Sequence, residues 1–253
     1  MVFVSYSHAD KIWMDRFKTM SAPLRRYAEV SIWSDRDIQA GADWKATIDR
    51  EMRAAKAVVL LVSANFLDSD FIANEELPYI LAATRDNKIH LFWVPLGPCN
   101  YELTGLRKLQ TKFDPKFPLN SMGQFEYESA LKQQIAYLDE VVRKFETPKI
   151  NKALAGRSLQ REEKKLQVLE SPALRETEVL VFSGDGKWYT QHKVRKGEKE
   201  AHCWIGDKNS KSGDSFQIIA LTRYADEKLS IGSPHPNIPI HRTKSGIVNV
   251  KRA

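Results

Sequence analysis

The sequence predicts an α/β fold with a central parallel sheet over residues 1–145, followed by a small all-β domain over residues 177–253. In the first part, short apolar runs alternate with longer amphipathic segments, and the run Ala57–Ser63 is almost entirely apolar. Such continuous apolar strands are typical of parallel sheets, because helices cover both faces of the sheet. After Thr177 the pattern changes to short apolar or aromatic runs separated by glycines, which is typical of small all-β domains.

The elements of the first part follow from residue spacing. Strands are predicted from apolar or β-branched runs at Val2–Tyr6, Tyr27–Trp33, Ala57–Ser63 and Ile89–Leu96. Helices are predicted from apolar residues at helical spacing at Asp10–Met20, Trp44–Ala55, Asp70–Thr84 and Gln124–Phe145. Asp43 and Asp70 are the expected N-caps of the second and third helices. Since parallel sheets bind ligands at the carboxyl ends of their strands, the loops after Tyr6, Trp33 and Ser63 should hold any site.

Residues 146–176 are predicted to be a basic, partly helical linker. The stretch Arg143–Leu166 has eight Lys or Arg residues against three acidic residues, and Pro148 interrupts it. In the domain that follows, aromatic residues stand among many lysines, namely Trp188, Tyr189, Trp204, Phe216 and Tyr224. This mixture is typical of an aromatic core with a basic surface, or of a site for a trigger ligand such as a small nucleotide.

Composition excludes several classes of protein. With 42% hydrophobic residues the chain can build a core, which excludes wholesale disorder. It contains no apolar run of about 18 residues, so no membrane span is predicted. Two distant cysteines and an opening segment without a signal-peptide pattern favour a cytoplasmic protein. The six histidines are scattered without zinc-site spacing, so no metal is predicted. The net charge of +7 is compatible with solubility alone, and nucleic acid is not the favoured partner.

Three segments after the predicted strands carry a family resemblance. They are Phe3–Asp10 (FVSYSHAD), Asp35–Trp44 (DRDIQAGADW) and Ser63–Phe71 (SANFLDSDF), the last followed by Glu75, Glu76 and Leu77. In order, residue type and spacing they resemble a Toll/interleukin-1 receptor (TIR) domain of the bacterial kind, over roughly residues 1–145. The resemblance implies a flavodoxin-like fold.

The resemblance also implies one of two activities. Some TIR domains are scaffolds that act through homotypic contacts, and others cleave NAD⁺ to nicotinamide and ADP-ribose or a cyclic isomer. We expect the second activity, in an effector of bacterial anti-phage immunity that assembly or a ligand switches on. No cofactor is then required, because NAD⁺ is the substrate. Nicotinamide in NAD⁺ is already a cationic leaving group, so one carboxylate can suffice.

The resemblance places that carboxylate in the helix after Ser63–Phe71, where Glu75 and Glu76 both stand. Counting from Phe71 favours Glu75, whereas the apolar pattern of Leu77, Ile80 and Leu81 favours Glu76, which we prefer.

The other candidate residues follow from position. Ser7 and His8 occupy the turn where family members contact the nucleotide, although Ser7 or Asp10 could instead cap the next helix. Trp44 could stack on a base or face the core, and Gly41 suggests a positive φ. Ser63 and Ser69 are expected to cap a helix or line the pocket. The predicted substrate-binding residues are Ser7, His8, Gln39, Gly41, Trp44, Ser69 and Phe71.

Overall fold

The computed structural model of the protein describes residues 1–173, 175–224, 229–239, 241 and 243–253. The chain divides into two units, Met1–Val142 and Arg143–Ala253. The first unit ends close to the boundary predicted at residue 145. Within the described residues, no helix combines the length and the apolar character needed to cross a membrane.

A parallel sheet forms the centre of the first unit. Its strands are β1 (Val2–Tyr6), β2 (Ile32–Trp33), β3 (Ala57–Val62) and β4 (His90–Pro95). They are hydrogen-bonded in the order β2-β1-β3-β4, and all three pairings are parallel. Every residue of β1 and β3 is buried, as expected for strands covered on both faces. The predicted flavodoxin-like α/β fold is confirmed for this unit.

Helices flank the sheet. They are α1 (Lys11–Met20), α2 (Ala22–Arg26), α3 (Trp44–Ala54), α4 (Ala64–Asp68), α5 (Leu77–Arg85) and α6 (Gln124–Glu146). Asp43 caps α3 as predicted, because its carboxylate accepts a hydrogen bond from the backbone N–H of Ala46 at 3.0 Å. α3 then buries Ile48 and Met52 against the sheet.

Two local predictions in this unit are wrong. The strand predicted at Tyr27–Trp33 is reduced to Ile32–Trp33, because Tyr27 ends α2 through its N–H bond to Pro23 and Glu29 takes a positive φ of 51°. The helical run from residue 70 begins at Ser69 rather than at an Asp70 cap. The Ser69 hydroxyl accepts from the N–H of Ile72 at 3.4 Å, and Asp70 itself is already helical.

The second unit is rich in β-structure, as predicted. Its strands are β5 (Ser158–Leu159), β6 (Glu162–Gln167), β7 (Thr177–Phe182), β8 (Trp188–Val194), β9 (Glu200–Trp204), β10 (Ser215–Thr222), β11 (Pro234–His235), β12 (Thr243–Lys244) and β13 (Val248–Arg252). The main sheet has the order β11-β8-β7-β10-β13-β5, with β12 on β10, and β6 pairs with β9.

The partly helical linker predicted for residues 146–176 is not observed. Apart from the end of α6 and a short 3₁₀ turn, the described part of this segment carries β5 and β6 and belongs to the second unit. Leu159 and Leu166 are buried in that unit's core, while Lys164 and Lys165 are exposed. The basic character therefore comes from the solvent-facing residues of a segment whose apolar residues are buried.

Candidate functional site

A cavity of about 270 Å³ opens beside the carboxyl end of β1. Its walls come from β1 and the turn that follows, the loop after β2, the start of α3 and the helical run from residue 70. The lining residues are Phe3, Val4, Ser5, Tyr6, Ser7, His8, Asp35, Trp44, Ile48, Ser69, Phe71, Ile72 and Glu76. The cavity therefore lies where a parallel sheet is expected to bind its ligand.

Glu76 is the buried acid of this cavity, with 5% of its surface exposed. The Ser5 hydroxyl donates a hydrogen bond to its Oε2. Burial raises the pKa of Glu76 to about 7, chiefly because the charged form is desolvated. The Ser5 hydrogen bond opposes that increase in pKa, and the charge of Asp35 adds to it. A carboxyl group with such a pKa changes its charge near neutral pH.

A π-helical turn at Ile72–Glu76 directs Glu76 inward. Pro78 supplies the sequence reason for this turn. Proline has no N–H to donate to the carbonyl four residues earlier, and its ring crowds that carbonyl. The chain widens accordingly, and Leu77 donates its N–H to the carbonyl of Ile72, five residues earlier. Ile72 and Glu76 are then buried, while the three residues between them are exposed. Such turns are frequently found at functional sites.

Glu75 lies outside the cavity. Its side chain is 49% exposed and accepts a hydrogen bond from Lys45 Nζ at 2.5 Å. Of the two carboxylates that the sequence left as alternatives, Glu76 is the one that lines the cavity.

Aromatic residues form one side of the cavity mouth. The rings of Trp44 and Phe71 are tilted by 49° with their centroids 4.4 Å apart. Trp44 is 43% exposed, so it does not take the core-facing position that the sequence left open. An exposed indole beside a second ring offers a flat apolar surface to a planar ligand.

Ser7, His8 and Asp35 form a polar side of the same cavity. A ring nitrogen of His8 is hydrogen-bonded to Asp35 Oδ2, which ties the turn after β1 to the loop after β2. Neither Ser7 nor Asp10 caps the next helix through its side chain. Asp10 instead accepts hydrogen bonds from Ser63 and Asn65.

Gln39 and Gly41 do not line the cavity. Both are exposed in the loop after β2, where Gly41 has the positive φ that its position suggested, at 86°. Ser69 lines the cavity and also accepts from the N–H of Ile72, so it fills both predicted roles.

The list of predicted site residues did not include Ser5, Tyr6, Asp35 or Ile72. Ser5 could have been recognised from the sequence, because it is the one hydroxyl-bearing aliphatic residue in a strand that is otherwise apolar or aromatic. The two-residue period of a strand places it on the same face as Phe3. Asp35 had no such signal, since a charged residue in a loop is usually solvated.

The second unit holds a separate cavity of about 460 Å³. Tyr189 and Trp204 line it together with the carboxylates of Asp185, Asp207 and Asp214. Repulsion between these carboxylates and phosphate groups disfavours a nucleotide here. Two other aromatic residues of this unit, Trp188 and Phe216, are buried in its core. Throughout the described residues, no group of three or more His, Cys, Asp or Glu side chains is arranged to hold a metal ion.

Comparison with known proteins agrees with the fold of the first unit. Residues 2–120 match the family model described as TIR domain. The chain is also 31% identical over 108 residues to the uncharacterized protein y4lF of Sinorhizobium fredii. That match covers 43% of this chain and 33% of the relative, so the similarity extends over about a third of the relative's length. The parallel sheet, the cavity at its carboxyl edge and the family match together identify residues 2–120 as a TIR domain.

Proposed function

We propose that the TIR domain cleaves the bond between nicotinamide and ribose in NAD⁺, with Glu76 as the catalytic carboxylate. The observation that carries the proposal is a buried carboxyl group beside Ser5 in the cavity at the carboxyl end of β1. Structural acids are usually exposed or paired with cations. Of the described residues that line this cavity, none is a Lys or Arg.

The chemistry requires little from the protein besides placement and charge. The bond between ribose C1′ and the pyridinium nitrogen breaks, and its electron pair neutralises nicotinamide. A carboxylate near C1′ or the ribose hydroxyls stabilises the positive charge that develops on the sugar. Water then forms a bond to C1′ and releases a proton to give ADP-ribose. A ring nitrogen of the adenine can take the place of water and give a cyclic isomer.

The cavity dimensions suit one end of the dinucleotide. Ligand cavities span roughly 300–1,000 Å³, and this one lies near the lower limit. We place nicotinamide and its ribose inside, with the pyridinium ring against Trp44 and Phe71. The pyrophosphate then passes Ser7 and His8 at the polar side. His8 is 74% exposed and supplies positive charge only when it is protonated.

The first experiment measures nicotinamide release from NAD⁺ by concentrated protein, with a crowding agent that promotes self-association. Glu76→Gln preserves shape and removes the charge, and we expect it to lower the rate by at least about 100-fold. Glu75→Gln is the matched control, because it makes the same change one residue away on an exposed side chain. It should retain most of the activity.

Two results would contradict the proposal. One is equal loss of activity in both variants while both remain folded. The other is no nicotinamide release from folded, self-associated wild-type protein. The second result would favour the alternative function, a non-catalytic scaffold that acts through contacts between TIR domains.

We further propose that assembly of TIR domains, or a ligand of the second unit, switches this activity on in bacterial anti-phage immunity. Support for this comes from the two-unit organisation, in which a TIR domain is joined to a β-rich unit with its own cavity. Depletion of NAD⁺ in infected cells that carry the wild-type protein, but not Glu76→Gln, would test this role.

A further inference from the structure

A second, larger cavity of about 710 Å³ lies in the first unit between α6 and the loop that precedes it. It shares no lining residue with the cavity of Glu76. Its walls are mainly aromatic or apolar and include Phe113, Phe117, Met122, Phe125 and Tyr137. Phe117 and Phe125 are 63% and 84% exposed, so the apolar surface is open to solvent. Its volume falls within the usual range for small-molecule sites.

Gln134 is the unusual residue of this cavity. It is 2% exposed, and its Oε1 accepts no hydrogen bond from any described residue. A buried amide oxygen without a donor destabilises the folded protein, whereas an apolar side chain of similar size at this position would not. A donor supplied by a bound molecule would remove this penalty.

The surrounding residues narrow the chemistry of such a molecule. The Lys112 ammonium lies 4.4 Å from the centre of the Tyr137 ring, so its charge faces that ring. Glu126 adds a carboxylate, which is already engaged by the N–H of Gly123 at 2.9 Å. With one positive and one negative group, the cavity does not strongly favour either a cationic or an anionic ligand. The aromatic walls favour a flat ring.

We infer that this cavity binds a flat, uncharged heteroaromatic molecule that donates an N–H hydrogen bond to Gln134. The site is separate from the proposed catalytic cavity and does not depend on the proposed function. Gln134 is one of the residues that line the cavity, so a molecule bound there lies next to its amide group.

Indole is a suitable probe, because it is flat, uncharged and carries one N–H donor. Its matched analogue 1-methylindole keeps the ring and lacks the donor. We expect wild-type protein to bind indole with a Kd of about 1 mM or tighter, and 1-methylindole about tenfold more weakly. Binding is followed by NMR of protein labelled with ¹³C at the methionine methyl groups. The Met122 signal should shift on titration, while that of Met52, which is buried in the core on α3, should not.

Two variants test the role of the amide. Gln134→Leu should remove the difference in affinity between the two probes. Gln133→Leu makes the same change at an exposed residue that also lines the cavity, and it should preserve that difference because the inferred hydrogen bond goes to Gln134. Because the Met122 measurement uses wild-type protein, the inference can be tested even if Gln134→Leu does not fold.

Three outcomes would overturn the inference. The first is no shift of Met122 at several millimolar indole. The second is an equal affinity of wild-type protein for both probes. The third is a Met122 signal that responds to protein dilution and not to indole, which would assign the cavity to contacts between two copies of this chain.

Discussion

Among the residues that the structure describes, each unit buries one glutamate, and the two have different surroundings. Glu178 of the second unit is buried with the Lys193 ammonium 3.6 Å and the Arg223 guanidinium 3.9 Å away. Glu76 of the first unit is similarly buried, and its carboxylate accepts a hydrogen bond from the uncharged hydroxyl of Ser5. Burial raises the pKa of both carboxyls, but two cations limit the increase for Glu178, whereas the pKa of Glu76 reaches about 7.

The difference is the one expected between an acid that serves packing and the acid that we propose as catalytic. A buried charge that is balanced by cations within its own unit contributes to a defined packing arrangement. A buried charge that lacks such balance destabilises the folded state, and it suits a site where positive charge arrives with the substrate or develops during the reaction. The proposed cleavage of NAD⁺ supplies that positive charge on nicotinamide and then on ribose.

The largest expected effect is the pH dependence of nicotinamide release. The proposed mechanism requires the carboxylate form of Glu76, and with a pKa of about 7 this side chain is almost fully protonated at pH 5. The rate should therefore be about 100-fold lower at pH 5 than at pH 8 or above. Initial rates at NAD⁺ concentrations well below KM report the pKa of the protein without substrate and provide the measurement, with Glu75→Gln as a variant that should show the same profile. A flat profile would remove the link between burial of Glu76 and catalysis.

The second-largest expected effect is that of Glu76 on the free energy of unfolding. In the folded state Glu76 has a raised pKa, so this residue makes unfolding easier as the pH rises through the interval between its unfolded pKa and about 7. Replacing Glu76 with Gln should stabilise the protein by up to about 3 kcal/mol at pH 8 and by little at pH 4. Denaturant unfolding at both pH values measures this difference. Equal stability of Glu76→Gln and wild type at pH 8 would contradict this prediction, because it would mean that the folded protein stabilises the Glu76 carboxylate as well as water does.

The corresponding substitution beside Glu178 in the second unit should lower the stability of the protein at pH 8 rather than raise it. Lys193 lowers the pKa of Glu178, so its contribution to stability is present when Glu178 is ionised and is lost as the pH falls. Lys193→Met keeps the apolar stem and should lower stability by about 1 kcal/mol at pH 8, with a smaller loss at pH 4. Lys196→Met, at an exposed position nearby, should have no measurable effect. A loss in Lys193→Met that is the same at both pH values would point to packing rather than charge.

The smallest effect concerns Ser5. Its hydrogen bond lowers the pKa of Glu76, so Ser5→Ala should move the acidic limb of the rate profile to higher pH by at most about one unit. Ser7→Ala changes another hydroxyl of the cavity without touching Glu76 and should leave the position of that limb unchanged. A shift to lower pH in Ser5→Ala would show that the hydroxyl stabilises the protonated form instead.

Much of the fold could be predicted because its signals are local. β1 is observed at its predicted residues, β3 and α3 differ from prediction by one residue at their ends, and Asp43 forms the predicted cap. These elements depend on apolar spacing and on a cap within three residues. The strand predicted at Tyr27–Trp33 failed because Pro23 and the positive φ of Glu29 keep the chain in α2 and a turn.

The predicted linker failed for a different reason. Its high content of Lys and Arg indicated a solvated segment, yet a strand needs to bury only one of its two faces. Pairing of β6 with β9 places Leu166 in a core that is formed largely by residues distant in the sequence. The composition of the segment counts the residues of both faces of the strand together, so it does not reveal that one face is buried.

The local sequence was sufficient for the parallel sheet and for the edge of the sheet at which a site forms, and the family resemblance of its motifs indicated the pair Glu75 and Glu76 as candidate acids. The tertiary structure was needed to separate these two neighbours, because they differ in surroundings and not in chemistry. The π-helical turn before Pro78 directs Glu76 toward Ser5, which is 71 positions away in the sequence, and leaves Glu75 with Lys45 at the surface. Burial, and hence the pKa near neutrality, is a property of that long-range packing.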